Sequence, residues 1–204
     1  LGSRLEASPA EAINTTPDVL TTNDQLVDWQ RRGVKHVALE ASSHALHQGR
    51  LRSLSIHTGV FTNLTRDHLD YHDNETDYAA AKLSLFTTFR LERAIFNADD
   101  AIASQVLKLA EASAIGISTE GAEADVQVVI RSMRPMVLAI QSPWGAAEIT
   151  VELSGRFNAF NVVAAIAAVT GLGFDFQQVC AVASDLKPVP GRMERILISD
   201  DRLA

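Results

Sequence analysis

Between Phe61 and Lys82 the chain reads F-T-N-L-T-R-D-H-L-D-Y-H-D-N-E-T-D-Y-A-A-A-K. Two histidines, five acids, an arginine and a lysine lie within it. Gly59-Val60-Phe61 just ahead is apolar, and polarity changes abruptly afterwards. This is the pattern of a buried strand that ends and passes into a polar loop. In open parallel sheets the loops at the carboxyl ends of strands carry the ligand site. His68 and His72 are four residues apart and would share a face if the segment were helical. A zinc protease needs H-E-x-x-H with the glutamate as base. Leu69 stands in the glutamate's place, which argues against zinc hydrolysis. Mg²⁺ takes oxygen ligands, keeps several waters and shares itself with phosphates. One histidine beside several acids is compatible with that chemistry. The plain alternative is that Asp67 and His68 cap the next segment and Tyr71 packs.

Other residues invite chemistry more weakly. Glu40 closes an apolar run and leads into Ser42-Ser43-His44. A carboxylate buried at a strand end is costly unless paired or bound to a cation. The Ser-Ser-His run raises a nucleophile, but no G-x-S-x-G elbow accompanies it. Lys82 follows three alanines, whose small side chains leave room beside it; a solvated surface lysine is the alternative. Cys180 sits in an apolar helical pattern and reads as packing.

These side chains must be positioned by regular elements. Asn14-Thr15-Thr16-Pro17-Asp18 suits a turn, with Thr16 or Asp18 capping a helix from Val19 to Arg32 that Gly33 ends. Leu20, Leu26, Val27 and Trp29 give that helix its apolar period. Residues 1–13 are irregular or strand-like. Strands are predicted over Val34–Ala41, His57–Asn63, Ala94–Ala98 and Ala114–Ile117. Helices are predicted over Glu75–Arg90, capped by Asn74 or Thr76, and over Ile102–Glu111. Alternating strand and helix argues a mostly parallel sheet flanked by helices, an α/β fold. The character then shifts. Ala124–Ile130, Met136–Gln141 and Ala146–Leu153 are strand-like, separated only by turn signals, and predict a small antiparallel β subdomain over about 124–153. Two helices follow, Ala159 to about Thr170 and Asp175–Asp185. A rigid loop, Pro188 to Glu194, precedes a final strand.

Bulk composition narrows the classes. The 204 residues carry a net charge of −7, so nucleic acid is a poor partner on average. One cysteine excludes an internal disulfide framework and suits a reducing, cytoplasmic setting. The longest apolar run, Val162–Val169, is far below the ~18 residues of a spanning helix. The chain opens without an initiator methionine or signal-peptide pattern, and a fragment of a longer protein is expected.

Seven stretches, in order, resemble the Mur ligases. They are N-T-T at Asn14–Thr16, E-A-S-S-H at Glu40–His44, T-N-L-T-R-D-H-L-D-Y-H at Thr62–His72 and A-A-A-K at Ala79–Lys82. N-A-D-D at Asn97–Asp100, G-R-F-N-A-F-N at Gly155–Asn161 and P-G-R-M-E at Pro190–Glu194 complete the set. Each alone is weak; the ordered set is specific. The resemblance is to the central ATP-binding domain, of P-loop type, and to the branch that adds the third amino acid of the peptide. It implies that 1–196 is that domain and 197–204 the start of a link to a C-terminal domain. The family's glycine-rich phosphate loop and first strand do not occur before N-T-T, so the chain on its own is expected to be inactive.

The activity implied is ATP-dependent amide ligation in peptidoglycan precursor synthesis. The partners implied are ATP, UDP-N-acetylmuramoyl-L-Ala-D-Glu, a diamino acid (meso-diaminopimelate favoured over L-lysine) and the N- and C-terminal domains of the same enzyme. By resemblance Glu40, His68 and Lys82 are the catalytic and metal residues. Glu40 and His68 would hold Mg²⁺, and Lys82 matches the family's carbamylated lysine. Asn14, Thr15, Thr16, Ser42, Gln48 and Arg50 match positions that hold the UDP-sugar dipeptide, where Arg50 could clamp an anion. Asn158 and Asn161 match nucleotide-side positions, and Arg192 matches an arginine near the ATP phosphates or, alternatively, makes an interdomain salt bridge. Folylpolyglutamate synthetase is a relative with different loop motifs. A metallohydrolase built on Lys82, His68 and His72, and a non-catalytic binding module, are the rivals from other classes.

Overall fold

The computed structural model describes residues 15–65, 71–110 and 113–188, together with the backbone of four short strands outside those ranges. Two of these, β1 (Gly2–Leu5) and β2 (Ser8–Glu11), pair antiparallel. The chain divides into two compact units, residues 1–57 with 65–91, and residues 58–64 with 92–204.

In the first unit, α1 (Val19–Arg31) is capped by Asp18, whose carboxylate accepts from the amides of Leu20 and Thr21 at 2.9 and 3.0 Å. Gly33, at φ 85°, follows the helix in the left-handed region that ends helices well. The apolar stripe of α1 is only partly covered. Leu20 and Val27 are exposed, while Thr22 is buried. α2 (Ser43–His47) is a short helix capped by the Ser42 hydroxyl, which accepts from Ala45 N at 3.2 Å. α3 (Glu75–Thr88) is capped by Asn74 and buries Tyr78, Ala81, Leu83, Leu85 and Phe86.

Residues 34–41 correct an expectation. They form no strand in the structure, and Val37 and Leu39 are 42% exposed. An apolar run becomes a strand only when a neighbouring ladder takes its backbone groups. Among the described residues no strand pairs with this one.

The second unit holds one six-stranded sheet. Its strands are β3 (Thr58–Phe61), β4 (Arg93–Asn97), β5 (Ser113–Ser118), β6 (Val126–Met133), β7 (Met136–Ser142) and β8 (Gly145–Val151), in that spatial order. The pairs β3–β4, β4–β5 and β5–β6 are parallel; β6–β7 and β7–β8 are antiparallel. The expected antiparallel group is therefore a continuation of the parallel sheet. The parallel β5–β6 pairing is confined to Ile117↔Val126 and Ser118↔Gln127, because a seven-residue link cannot make a full crossover.

α4 (Ala103–Leu109) lies between β4 and β5 in sequence, and α5 (Phe157–Gly171) and α6 (Phe176–Ala183) follow the sheet. α5 is rich in alanine and valine and buries Ala159, Phe160, Val162, Val163, Ala164, Ile166 and Ala167 in the core with Ile95, Ile117, Leu138 and Ile149. β9 (Leu197–Ser199) and β10 (Arg202–Leu203) pair antiparallel.

Candidate functional site

Four of the residues proposed for the sugar-peptide side, Thr16, Ser42, Gln48 and Arg50, lie in one hydrogen-bonded network within the first unit. Thr16 is 2% exposed, and its hydroxyl donates to the Glu40 carbonyl at 2.6 Å. The same oxygen accepts from Ser42 N at 3.2 Å and lies 3.3 Å from Ser42 Oγ. One buried threonine thus fastens the N-T-T turn to the E-A-S-S-H segment. Arg50 closes the network from the other side. Its Nη1 donates to the Thr16 carbonyl at 2.7 Å and its Nε to Gln48 Oε1 at 2.8 Å. Gln48 Nε2 in turn donates to the Tyr71 hydroxyl at 2.9 Å.

These bonds change the roles expected of individual side chains. The Thr16 hydroxyl is an internal tie, not an open ligand. Two nitrogens of Arg50 are already committed to the protein, so its charge is held in place by its own chain. Thr15 is exposed. Glu40 is exposed too, so its carboxylate carries no burial cost and needs no partner to be tolerated.

Sequence reasoning left the aromatic group beside this network out of the site. The His44 and Tyr71 rings lie with centroids 3.9 Å apart, tilted by 37°, and His47 Nδ1 lies 3.0 Å from the Tyr71 hydroxyl. His72 is 4% exposed and Ser43 3%; His72 Nε2 lies 3.0 Å from Ser43 Oγ. The His72 ring sits 5.3 Å from that of Tyr78, and Lys82 Nζ lies 5.1 Å over the Tyr78 ring. The signal was present in S-S-H and D-Y-H, but spacing does not show that the two motifs touch.

His68, Asn14 and Arg192 lie outside the described residues, as does Asp67. Among the described residues no group of three His, Cys, Asp or Glu side chains is placed to hold a metal. The donors that are described fit magnesium in part. Glu40 offers exposed carboxylate oxygens, the ligand type Mg²⁺ prefers. Lys82 does not fit as an ammonium, which a ring face attracts and a metal repels. It fits only as a carbamate, and a carbamate would have to leave the Tyr78 ring face.

The pair expected on the nucleotide side, Asn158 and Asn161, belongs to the second unit. Asn158 and Asn161 stand on the first turns of α5, as expected. Asn158 Nδ2 donates to the Ser154 carbonyl at 2.6 Å, and its Oδ1 accepts from Asn161 Nδ2 at 3.2 Å. Half-buried Asn158 therefore supports exposed Asn161.

The carboxyl end of β4 shows how its loops are held. Asn97 Oδ1 accepts from Asp99 N at 3.0 Å, closing a tight turn. The Asp99 carboxylate accepts from Ser118 Oγ and from the amides of Thr119, Glu120 and Ala122 at 2.6–3.3 Å. Burial raises its pKa, but these donors outweigh burial and hold the carboxyl below its ordinary value. Cys180 is buried, and burial together with the Asp175 charge pushes its thiol up, away from nucleophilic use.

Comparison with known proteins adds what geometry alone does not. Residues 1–169 match the family model of the Mur ligase middle domain. The chain belongs to the Mur ligases. A UDP-N-acetylmuramoyl-L-alanyl-D-glutamate–2,6-diaminopimelate ligase from Vibrio cholerae serotype O1 is 42% identical over 187 residues, covering 90% of this chain and 38% of that protein. A solved structure of an enzyme with the same name superposes with a TM-score of 0.88 at 33% identity, covering 99% of this chain and 42% of the other. A MurF structure from Acinetobacter baumannii shares the fold, with a TM-score of 0.62 over 69% of this chain and 31% of that one. The chain thus spans about two fifths of the length of such Mur ligases. No helix among the described residues is long and apolar enough to cross a membrane.

Proposed function

We propose that this Mur ligase middle domain is the ATP-binding part of an enzyme that joins a diamino acid to UDP-N-acetylmuramoyl-L-Ala-D-Glu in peptidoglycan precursor synthesis. The match of residues 1–169 to the middle-domain model carries the reading. The names of the relatives favour 2,6-diaminopimelate as the added group, and a cytoplasmic setting goes with it.

The reaction dictates what the residues do. ATP phosphorylates the D-glutamate carboxylate, and the amine then attacks the acyl phosphate and displaces phosphate. In the first step a carboxylate meets a γ-phosphate, so positive charge must lie between them. Glu40, His68 and carbamylated Lys82 would hold Mg²⁺, which supplies that charge. Thr16 and Arg50 fix the turn and the segment around Ser42, so Thr15, Ser42 and Gln48, with Asn14, meet the sugar-linked peptide on a rigid frame. Asn161, braced by Asn158, is assigned to the nucleotide side with Arg192. The family members' additional length is required for turnover, and residues 1–204 alone have none.

The full-length polypeptide containing these residues, given ATP, Mg²⁺, UDP-N-acetylmuramoyl-L-Ala-D-Glu and meso-diaminopimelate, is expected to release ADP and the tripeptide product. L-Lysine should be a far poorer amine. Absence of product with either amine, from folded full-length protein, overturns the reading. Lys82→Ala is expected to lower kcat by about 10²-fold or more if a metal-held carbamate stabilises the transition state. Added short-chain carboxylic acids should restore part of the rate. Full activity without them would remove the carbamate from the mechanism.

A further inference from the structure

α2 and its cap bring three side chains to one tyrosine. His47 is three residues and Gln48 four residues beyond His44, so the three leave one face of the helix. The Tyr71 ring lies against His44, with centroids 3.9 Å apart, and meets the ring of buried His72 nearly edge-on at 4.9 Å. Its hydroxyl lies 2.9 Å from Gln48 Nε2 and 3.0 Å from His47 Nδ1. All these residues belong to the first unit.

Donor chemistry fixes the direction of each bond. A guanidinium can only donate, so the Gln48 oxygen must be the atom that faces Arg50 Nε, at 2.8 Å. That orientation turns the Gln48 N–H₂ to Tyr71, whose oxygen accepts. The single phenolic proton is then left for His47 Nδ1, which accepts it when the neutral ring carries its own proton on Nε2. Arg50 and Tyr71 therefore hold the Gln48 amide from its two ends. A glutamine amide has two N–H donors and two carbonyl lone pairs, and these bonds use one of each. The other N–H and the other lone pair are left for a ligand.

The geometry points to Tyr71 as a positioning residue that holds the Gln48 amide in its substrate-binding orientation. This rests on the reading of Gln48 as a residue that binds UDP-N-acetylmuramoyl-L-Ala-D-Glu. Gln48 is exposed, and an exposed glutamine otherwise samples many rotamers. The bond to Arg50 fixes the oxygen end but lets the amide swing about it; the bond to Tyr71 stops the swing. Ordering the side chain before the substrate arrives removes that loss of freedom from the binding step. The Tyr71 hydroxyl is itself engaged by Gln48 and His47, so it acts through Gln48.

Steady-state kinetics of the full-length polypeptide with Tyr71→Phe, Gln48→Ala and the double variant test this. Tyr71→Phe keeps the ring and removes only the hydroxyl. It should raise KM for UDP-N-acetylmuramoyl-L-Ala-D-Glu about three- to tenfold, with kcat and the KM for ATP within about twofold of wild type. Gln48→Ala should raise the same KM about tenfold or more. In the double variant KM should stay within about twofold of Gln48→Ala, because the hydroxyl has no amide left to hold. An unchanged KM in Tyr71→Phe overturns the positioning role. So does the same fold-rise with and without Gln48, or a loss confined to kcat, either of which leaves a merely structural contact. Gln48→Ala with wild-type KM refutes the substrate reading of Gln48 and the proposal with it. Absence of product from the wild type refutes the ligase reading before any variant is compared.

Discussion

Asp99 shows how one side chain can be visible in a sequence without its work being visible. N-A-D-D stood out as a family stretch, but nothing in its spacing showed that one carboxylate would collect a hydroxyl and three amides from residues 118–122. The bonds also predict a pH dependence. The folded pKa of Asp99 lies below its ordinary 3.8, so its stabilising effect is present above that value and is lost as pH falls through the lower, folded pKa. Asp99→Asn should therefore be destabilised relative to wild type at neutral pH, by about 1–2 kcal/mol for charge-assisted hydrogen bonds open in part to solvent. The difference should shrink below about pH 4. Urea titrations of both proteins at pH 7 and pH 3.5 read it directly; a gap that widens in acid contradicts the assignment. Thr16 repeats the lesson. Its place in the motif was legible, but its burial was not, since the backbone carbonyl to which it donates is 24 residues away.

At the scale of elements, local signals were read well where the cause is local. The strands from β3 to β8 followed from side-chain period and turn chemistry, and the caps, Asp18 for α1 and Asn74 for α3, are each one of the two residues the sequence offered. Val34–Ala41 failed because strand formation depends on a partner, which an apolar run does not supply by itself. α5 offers the sharpest test of a local cause. Gly155 precedes it at φ 91°, and a Cβ there would lie 2.6 Å from the Phe157 ring. A side chain would be strained by the backbone angle and crowded by the ring together. Gly155→Ala should cost about 1–3 kcal/mol, with Asn161 displaced as the first turn of α5 shifts. The loss should show as a lower urea midpoint with an unchanged m-value. A stability equal to wild type would mean that the turn before α5 relaxes freely.

Across the whole molecule, apolar burial is unevenly shared, and neither the two units nor their unequal cores could be read from composition. The cluster formed by the sheet with α5 and α6 lies entirely in the second unit. The first unit keeps a smaller set around Leu46, Leu51, Tyr78, Leu83 and Phe86, and leaves much of the apolar face of α1 exposed. Since buried apolar area is the main favourable contribution to folding, the first unit should open at lower denaturant. The chain has two tryptophans, and each unit holds one. Trp29 is on α1; Trp144, in the β7–β8 turn, packs near Phe176 at 6.2 Å between ring centroids. Fluorescence of Trp144→Phe and Trp29→Phe, followed through a urea titration, therefore reports each unit in turn. The Trp29 signal should change first. Leu138→Ala, at a fully buried position of β7, should lower the Trp144 midpoint by the equivalent of about 2–5 kcal/mol, the usual cost of such a truncation. Because Leu138 belongs to the second unit's core, the Trp29 midpoint should move much less. Coincident midpoints in wild type, moving together on truncation, would instead make the two units one cooperative block.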